Sequence, residues 1–246
     1  MDLLLENVAG WAWGAFFRLV VILYAAIILH MLITALLSWI FRVKIEEISI
    51  GSLLPVIKIK IGTTKLSLKA IPIGSFIQYT DPEAPKTTPI IQRDHSRYFK
   101  ELPTVLTMII VVAGCLVLLQ IAITVLGKHA LLTGFAVWGQ FIAGALGPFS
   151  VAQTYLADLS SFIQTAPLET LIAVVFAKYG ALNLLPLGGL NGGVVFSALS
   201  RILLSLFVPL GSLFSERIAN LYLQLSLILL LLLFLSWSVA WFYFLF

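Results

Sequence analysis

Long uninterrupted apolar segments are the feature that most limits what this sequence can fold into. The longest occupy residues 11–41, 102–126 and 218–246, and each is longer than 18 residues with few charges. About 20 helical residues at a rise of roughly 1.5 Å cross the hydrocarbon core of a bilayer. Because only 11% of the 246 residues are charged, polar groups are too few to cover a water-soluble globule. The sequence therefore predicts a multi-pass integral membrane protein.

The distribution of positive charge indicates an orientation. Ten of the fifteen Lys and Arg residues lie between Arg42 and Lys100, whereas the segment before the first apolar run carries only Asp2 and Glu6. By the positive-inside rule, we expect residues 42–101 to be cytoplasmic and the amino terminus to be external, in the plasma membrane. We expect no cleavable signal peptide, because the leading segment is acidic and the first apolar run is too long.

The chain reads as a single membrane domain with one extramembrane insertion. Its predicted parts are a first span at 11–41, a cytoplasmic-side sheet at 43–79, a linker rich in proline and charge at 80–101, a second span at 102–126, an external or re-entrant segment at 127–165, a broken span at 167–210 and a last span at 218–246. Ala130 to Gly147 is apolar but rich in glycine and only about 18 residues long, so its path is left open.

The sheet is predicted from a change of hydrophobic period. In VIKIKIGTTKLSLK, Ile57, Ile59 and Ile61 alternate with Lys58 and Lys60, and a second alternation follows after the turn at residues 62–64. Alternation with period two indicates strands, here a hairpin with one apolar and one cationic face. Two interpretations stay open: a ribbon against anionic lipid head groups, or a sheet edge that pairs with another chain.

The segment NLLPLGGLNGG, residues 183–193, places a proline and four glycines inside an apolar stretch. Non-helical backbone at membrane depth is tolerated only where it is buried in protein or lines a wet cavity, because unpaired amides in lipid are costly. We therefore expect this segment to border a functional pocket. The alternative is a kinked helix whose glycines permit close helix packing.

Several segments together resemble one family. Asn183, Pro186, Leu190, Gly192 and Gly193 are similar to the N-x-x-P-x-P-x-L-D-G-G signature of the site-2 proteases, which are intramembrane zinc metalloproteases. Three further stretches resemble family segments: GTTKLSLKAIPIGSFIQ from residue 62, VVAGC from residue 111 and GPFSVA from residue 147. All of the segments follow one another in the order that the family has. The resemblance implies an all-α polytopic membrane protein with a site-2 protease-like core and a small membrane-associated β-sheet.

The family's zinc site is degenerate in this sequence. In the family, the first span carries H-E-x-x-H, whose two His bind zinc and whose Glu is the general base, and the Asp of L-D-G is the third ligand. Matched position by position, His30 keeps the first ligand, Met31 replaces the Glu, Thr34 replaces the second His and Asn191 replaces the Asp. A thioether is no base, and a neutral hydroxyl and amide cannot balance a dication.

The resemblance and these substitutions together predict a catalytically inactive homologue that binds a membrane-protein client. We expect no cofactor and no nucleic-acid partner, a lipid bilayer as surroundings, and client contacts at Asn183, Pro186, Leu190 and Gly192. One alternative is a zinc endopeptidase with unorthodox ligands, for which His30 and Asn191 are the weak metal candidates, with His95, Cys115 and His129 as substitutes. A transporter or channel component is the second alternative.

Overall fold

A computed structural model describes residues 13–80, 98–207 and 211–245. The predicted acidic amino terminus and most of the linker predicted at 80–101 lie outside these residues. The elements are α1 Trp13–Ile40, β1 Ile45–Ile61, β2 Thr64–Tyr79, a short 3₁₀ turn at Phe99–Glu101, α2 Thr104–Leu126, α3 His129–Leu146, α4 Val151–Thr165, α5 Leu168–Asn183, α6 Asn191–Phe207 and α7 Gly211–Leu245.

Four of these helices are long and apolar enough to cross a membrane, as judged by length and composition. They are α1, α2, α3 and α7, over residues Phe16–Ile40, Thr104–Leu126, His129–Leu146 and Arg217–Leu245. The glycine-rich segment whose path the sequence left open is thus an 18-residue helix of sufficient hydropathy. The described helices and the small sheet confirm the predicted fold class, a mainly helical polytopic membrane protein with a small β-sheet.

The described residues form two compact units. One is Ile27–Gly114, which holds the end of α1, the sheet and the first half of α2. The other holds the described residues before position 27 and after position 114. Each unit is described by itself below.

In the unit Ile27–Gly114, β1 and β2 each bend and together make a mixed sheet of four segments. Residues 45–50 lie in its centre, antiparallel to 75–79 on one side and parallel to 64–68 on the other. Residues 55–61 form an edge and run antiparallel to 64–69. The register pairs Lys58 with Ser67 and Ile59 with Leu66, so the cationic and apolar faces predicted for the hairpin are present, with the turn at residues 62 and 63.

A small core joins this sheet to the helices of its unit. Val43, Leu102 and Ile110 are buried together, with Tyr79 and Phe99 packed against them. The rings of Tyr79 and Phe99 stack with centroids 4.0 Å apart, and the Ser38 and Tyr79 hydroxyls are hydrogen-bonded at 3.1 Å. Burial raises the pKa of Tyr79, and the Ser38 hydrogen bond partly opposes this. The phenol is therefore neutral at physiological pH and connects β2 to the end of α1.

In the other unit, small residues allow α3 and α5 to pack closely. The second half of α2 joins them in a cluster of Leu119, Ala122, Ala130, Ala173, Ala177 and Ala181. A Cβ on Gly134 would lie 2.9 Å from the Ala177 carbonyl oxygen, and the Trp138 indole donates to the Ala181 carbonyl at 2.6 Å. Close backbone approach through Ala and Gly is the usual way in which helices associate in membranes.

Candidate functional site

The predicted metal-site positions on α1 lie in a buried part of that helix. His30, Met31 and Thr34 are all buried, with relative exposures of 5%, 4% and 8%. The Thr34 hydroxyl donates to the carbonyl oxygen of His30, four residues earlier, at 3.0 Å. This local bond is the common way for threonine to satisfy its hydroxyl within a helix. It occupies the hydroxyl donor of Thr34, the residue predicted to stand in place of a second His.

Gly114 on α2 is where α1 and α2 approach most closely around His30. A Cβ at position 114 would lie 2.4 Å from His30 Nδ1 and 2.6 Å from the His30 carbonyl oxygen. The imidazole is hydrogen-bonded to the Gly114 backbone. The glycine of VVAGC, the segment that resembles a family motif, therefore has a specific physical reason: it leaves room for the histidine.

Asn191 begins α6 and contacts α2. Its side-chain amide donates to the Cys115 sulfur at 3.5 Å, and Cys115 is fully buried as a free thiol. A thiol is a weak acceptor, so this bond is a modest one. The structure thus pairs Asn191, which the sequence comparison predicts to stand in place of an Asp, with the one cysteine of the sequence.

The loop between α5 and α6 uses most of its own backbone donors. The N–H groups of Leu184, Leu185, Leu187 and Leu190 donate to carbonyl oxygens within 181–187. The Asn183 side-chain amide donates to the Tyr179 carbonyl at 3.0 Å, back along its own helix. The loop predicted to offer backbone groups to a client therefore has few donors left for one.

Two side chains of α7 bind the same loop. The Gly188 N–H donates to the Ser226 hydroxyl oxygen at 2.8 Å, and the Tyr222 hydroxyl donates to the Pro186 carbonyl. A Cβ on Gly188 would lie 2.1 Å from the Leu223 carbonyl oxygen. A proline, which is usual at this position in the family's signature, has no N–H to donate. Glycine at 188 therefore permits both the hydrogen bond and the close contact with α7.

The glycine pair at the start of α6 packs against the loop's own backbone. A Cβ on Gly192 would lie 2.1 Å from the Leu184 carbonyl oxygen, and one on Gly193 would lie 2.1 Å from the Leu187 carbonyl oxygen. Leu190 packs on the cluster formed by Phe141, Leu185 and Leu230. The non-helical segment is thus packed against protein, with Leu185 and Gly188 buried and most of its other residues half-buried, as expected for irregular backbone in an apolar stretch.

The donor set implied for zinc does not fit that ion. Zinc in proteins is held by Cys thiolate, His nitrogen and carboxylate oxygen. Here His30 supplies one imidazole, Thr34 a neutral hydroxyl and Asn191 a neutral amide whose nitrogen already donates to a thiol. Within 13–80, 98–207 and 211–245, no three His, Cys, Asp or Glu side chains are grouped closely enough to hold a metal. His95 lies outside these residues.

Sequence reasoning missed two polar side chains in the helices around the loop. Lys178 of α5 donates a hydrogen bond to the Gln140 side chain of α3. The sequence contained a signal for Lys178, because it is the one Lys in the apolar stretch LIAVVFAKYGALN. An ionisable residue inside an apolar helix is a functional candidate by default.

The sheet carries a cavity of about 280 Å³ that is lined by both charged and apolar side chains, Ile59 and Leu66 among them. Lys58, Lys60 and Lys65 line it with Glu47 and Ser67, and the Ser67 hydroxyl donates to Glu47 at 3.2 Å. On the outer side of residues 55–61, no described strand is paired. The edge therefore presents free backbone groups between alternating Lys and Ile side chains.

Comparison with known proteins identifies one family. The model of peptidase family M50 matches residues 18–233, which is most of the chain. No curated protein matches it significantly.

Proposed function

The chain belongs to peptidase family M50, the site-2 protease family, and from that membership we propose that it is a catalytically inactive member that binds membrane proteins without cleaving them. The observation that carries the proposal is the chemistry at four positions. Where the family's zinc peptidases have two His, a Glu and an Asp, this chain has His30, Thr34, Met31 and Asn191. Residues 42–101, with most of the positive charge, face the cytoplasm in this proposal.

The missing groups supply the two chemical functions that hydrolysis needs. A zinc ion lowers the pKa of its bound water to about 7 and so creates the nucleophile, and a positioned general base contributes roughly 10² to 10⁴ in rate. Met31 is a buried thioether that accepts no proton at neutral pH. One imidazole with two neutral oxygen groups leaves the double positive charge of zinc uncompensated in a low-dielectric site. Both functions are therefore absent from the proposed mechanism.

Client binding is supported best by the free edge of the sheet. An extended peptide can add as a further strand beside residues 55–61, with main-chain hydrogen bonds for affinity and side-chain contacts for selection. Ile57 and Ile59 offer apolar contacts on one face, and Lys58 and Lys60 offer positive charge on the other. The loop at 184–190 contributes apolar contact and carbonyl acceptors, because most of its N–H groups are already bonded.

Zinc quantification tests the first part of the proposal, that the protein is catalytically inactive. We expect the purified protein, exchanged into zinc-containing and then zinc-free detergent buffer, to retain less than about 0.1 zinc per chain, because of its donor set. The matched control carries Met31→Glu, Thr34→His and Asn191→Asp together, and it should approach one zinc per chain. Stoichiometric zinc on the wild type that is lost in His30→Ala, or metal-dependent cleavage of a membrane substrate, would overturn the proposal. A folded triple variant without zinc would show that these positions do not correspond to the family's ligands.

Site-specific photo-crosslinking tests the second part of the proposal, that the protein binds membrane proteins. A photo-reactive residue at Lys60, on the free edge, should trap a membrane protein in cells, because strand addition brings a client backbone within bonding distance of that edge. The same residue at Gln164, exposed on α4, serves as the control and should trap little. Adducts with lipid alone at Lys60, or equal protein adducts at both positions, would contradict the proposed edge.

A further inference from the structure

The middle of α5 carries one charged side chain, Lys178, and the side chain to which it donates is neutral. The ammonium group donates a hydrogen bond to the side-chain oxygen of Gln140 on α3. Both residues are only half-buried, so a further side chain can reach them. The Gln140 amide nitrogen remains as a second donor beside the ammonium, because only its oxygen accepts from Lys178.

The register between α3 and α5 places this pair at mid-depth of a candidate membrane span. Gly134 meets Ala177, and Trp138 bonds Ala181, so the two helices run parallel with an offset of 43 residues (177 − 134 and 181 − 138). Lys178 is then level with Phe135, and its ammonium reaches Gln140. At about 1.5 Å per residue these positions lie roughly 9 and 17 Å from the start of α3, a helix about 27 Å long.

A lysine at this depth is a charge without a counter-charge in the part of the chain that the structure describes. Inserting Lys at the centre of a membrane helix costs about 2.5 to 3.5 kcal/mol on insertion scales. A neutral amide hydrogen bond solvates the ammonium but does not neutralise it. The acid on the same helix, Glu169, is nine residues away, about 13 Å of helix rise. Such residues in membrane proteins generally face the protein interior or a wet cavity, where they pair with one another or with backbone carbonyls.

We propose that Lys178 and Gln140 form a recognition site for an acidic side chain in a transmembrane segment of the client. The inference rests on the proposed client-binding function and adds what the client carries: a Glu or Asp near the middle of its span. The carboxyl group accepts one hydrogen bond from the Lys178 ammonium and one from the Gln140 amide. Two such donors at fixed spacing select an acid over its isosteric amide, because an amide offers one oxygen and brings no charge.

Defined transmembrane peptides test this selection without knowledge of the client. The protein is placed in phosphatidylcholine nanodiscs and titrated with a dansyl-labelled 21-residue Leu/Ala peptide carrying a central Glu or a central Gln, with binding followed by energy transfer from tryptophan. We expect about 10-fold tighter binding of the Glu peptide. Lys178→Gln should reduce this ratio to about 1, Lys178→Arg should retain it, and Lys178→Glu should transfer the preference to a peptide with central Lys. Lys128→Gln, an exposed cation just before α3, is the matched control and should leave the ratio unchanged.

The outcomes separate this inference from the proposed function. Equal binding of the Glu and Gln peptides by the wild type, or an unchanged ratio in folded Lys178→Gln, would overturn the inference, whatever Lys60 traps in cells. A selective Lys178-dependent ratio together with no protein adduct at Lys60 would support the acid site and contradict the proposed sheet-edge contact. Monodisperse gel filtration of Lys178→Gln, together with the retained ratio of Lys178→Arg, guards against loss of fold as the explanation.

Discussion

Replacing Gly192 with alanine is expected to destabilise the unit of α3 to α7 by about 3 kcal/mol or more. The new Cβ would lie 2.1 Å from the Leu184 carbonyl oxygen, 2.4 Å from its carbonyl carbon and 2.5 Å from the Leu185 carbonyl oxygen. Overpacking costs roughly 1 to 3 kcal/mol where side chains can move aside. Here the opposing atoms are all backbone, within a loop most of whose N–H groups are already bonded, so no small shift relieves the clash. The measurement is the free energy of unfolding by SDS titration in detergent micelles, followed by circular dichroism.

Gly139→Ala is the matched control, because it is a helical glycine on α3 whose Cβ would meet nothing within 4 Å. It should be neutral or stabilise by about 0.5 to 1 kcal/mol, since alanine restricts the unfolded chain more than glycine. A Gly192→Ala protein as stable as Gly139→Ala would contradict the described loop packing.

A milder change in the same region is Ser226→Ala, which leaves the buried Gly188 N–H without its acceptor and should cost about 1 to 3 kcal/mol of unfolding free energy. Its control is Ser238→Ala, which changes an exposed serine of α7 that bonds only its own helix and should cost little.

The membrane character and the broken segment were accessible from the sequence because both depend on local signals. A continuous apolar run needs no knowledge of its neighbours, and helix α5 ends at Asn183 just before the Pro-Gly stretch that cannot continue it. The hairpin at 57–69 was likewise predicted from the period-two alternation of apolar and polar residues around a tight turn. In each case the pattern and its consequence lie within about 20 residues of one another.

The remaining features depend on contacts between distant segments, and no periodicity encodes them. The parallel pairing of residues 45–50 with 64–68 puts a strand inside the sheet that has no hairpin partner next to it in sequence. The Gly188 bond to Ser226 joins residues 38 positions apart. Lys178 and Gln140 are also 38 positions apart. The sequence identifies which residues are unusual, whereas only the packing shows which unusual residues meet.

The candidate site likewise has some features that the sequence predicted and others that required the structure. The chemistry of His30, Met31, Thr34 and Asn191 followed from matching positions to the family signature, and the family itself is now shown. That the Thr34 hydroxyl donates to the His30 carbonyl, and that Asn191 donates to Cys115, required coordinates. These bonds explain how a neutral hydroxyl at a buried position and a neutral amide at a half-buried one are accommodated, because each finds a partner close by.

Gly114→Ala is expected to cost about 2 to 3 kcal/mol in unfolding free energy, and the size of the effect should depend on His30. The new Cβ would lie 2.4 Å from His30 Nδ1, 2.6 Å from the His30 carbonyl oxygen and 2.9 Å from His30 Cε1. The contact with the carbonyl persists whatever the side chain at position 30 is, whereas the two ring contacts vanish with the imidazole. In a His30→Ala background, Gly114→Ala should therefore cost about 1 kcal/mol less than in the wild type.

The four-variant cycle of wild type, Gly114→Ala, His30→Ala and the double variant measures this coupling directly, again by SDS titration in micelles. His30→Ala alone should be destabilising, because it leaves a cavity where a buried ring packed and removes its bond to the Gly114 backbone. Additive effects at the two positions would mean that the imidazole does not lie against Gly114. Coupling of the expected sign would instead give His30 a packing role against Gly114 that needs no metal.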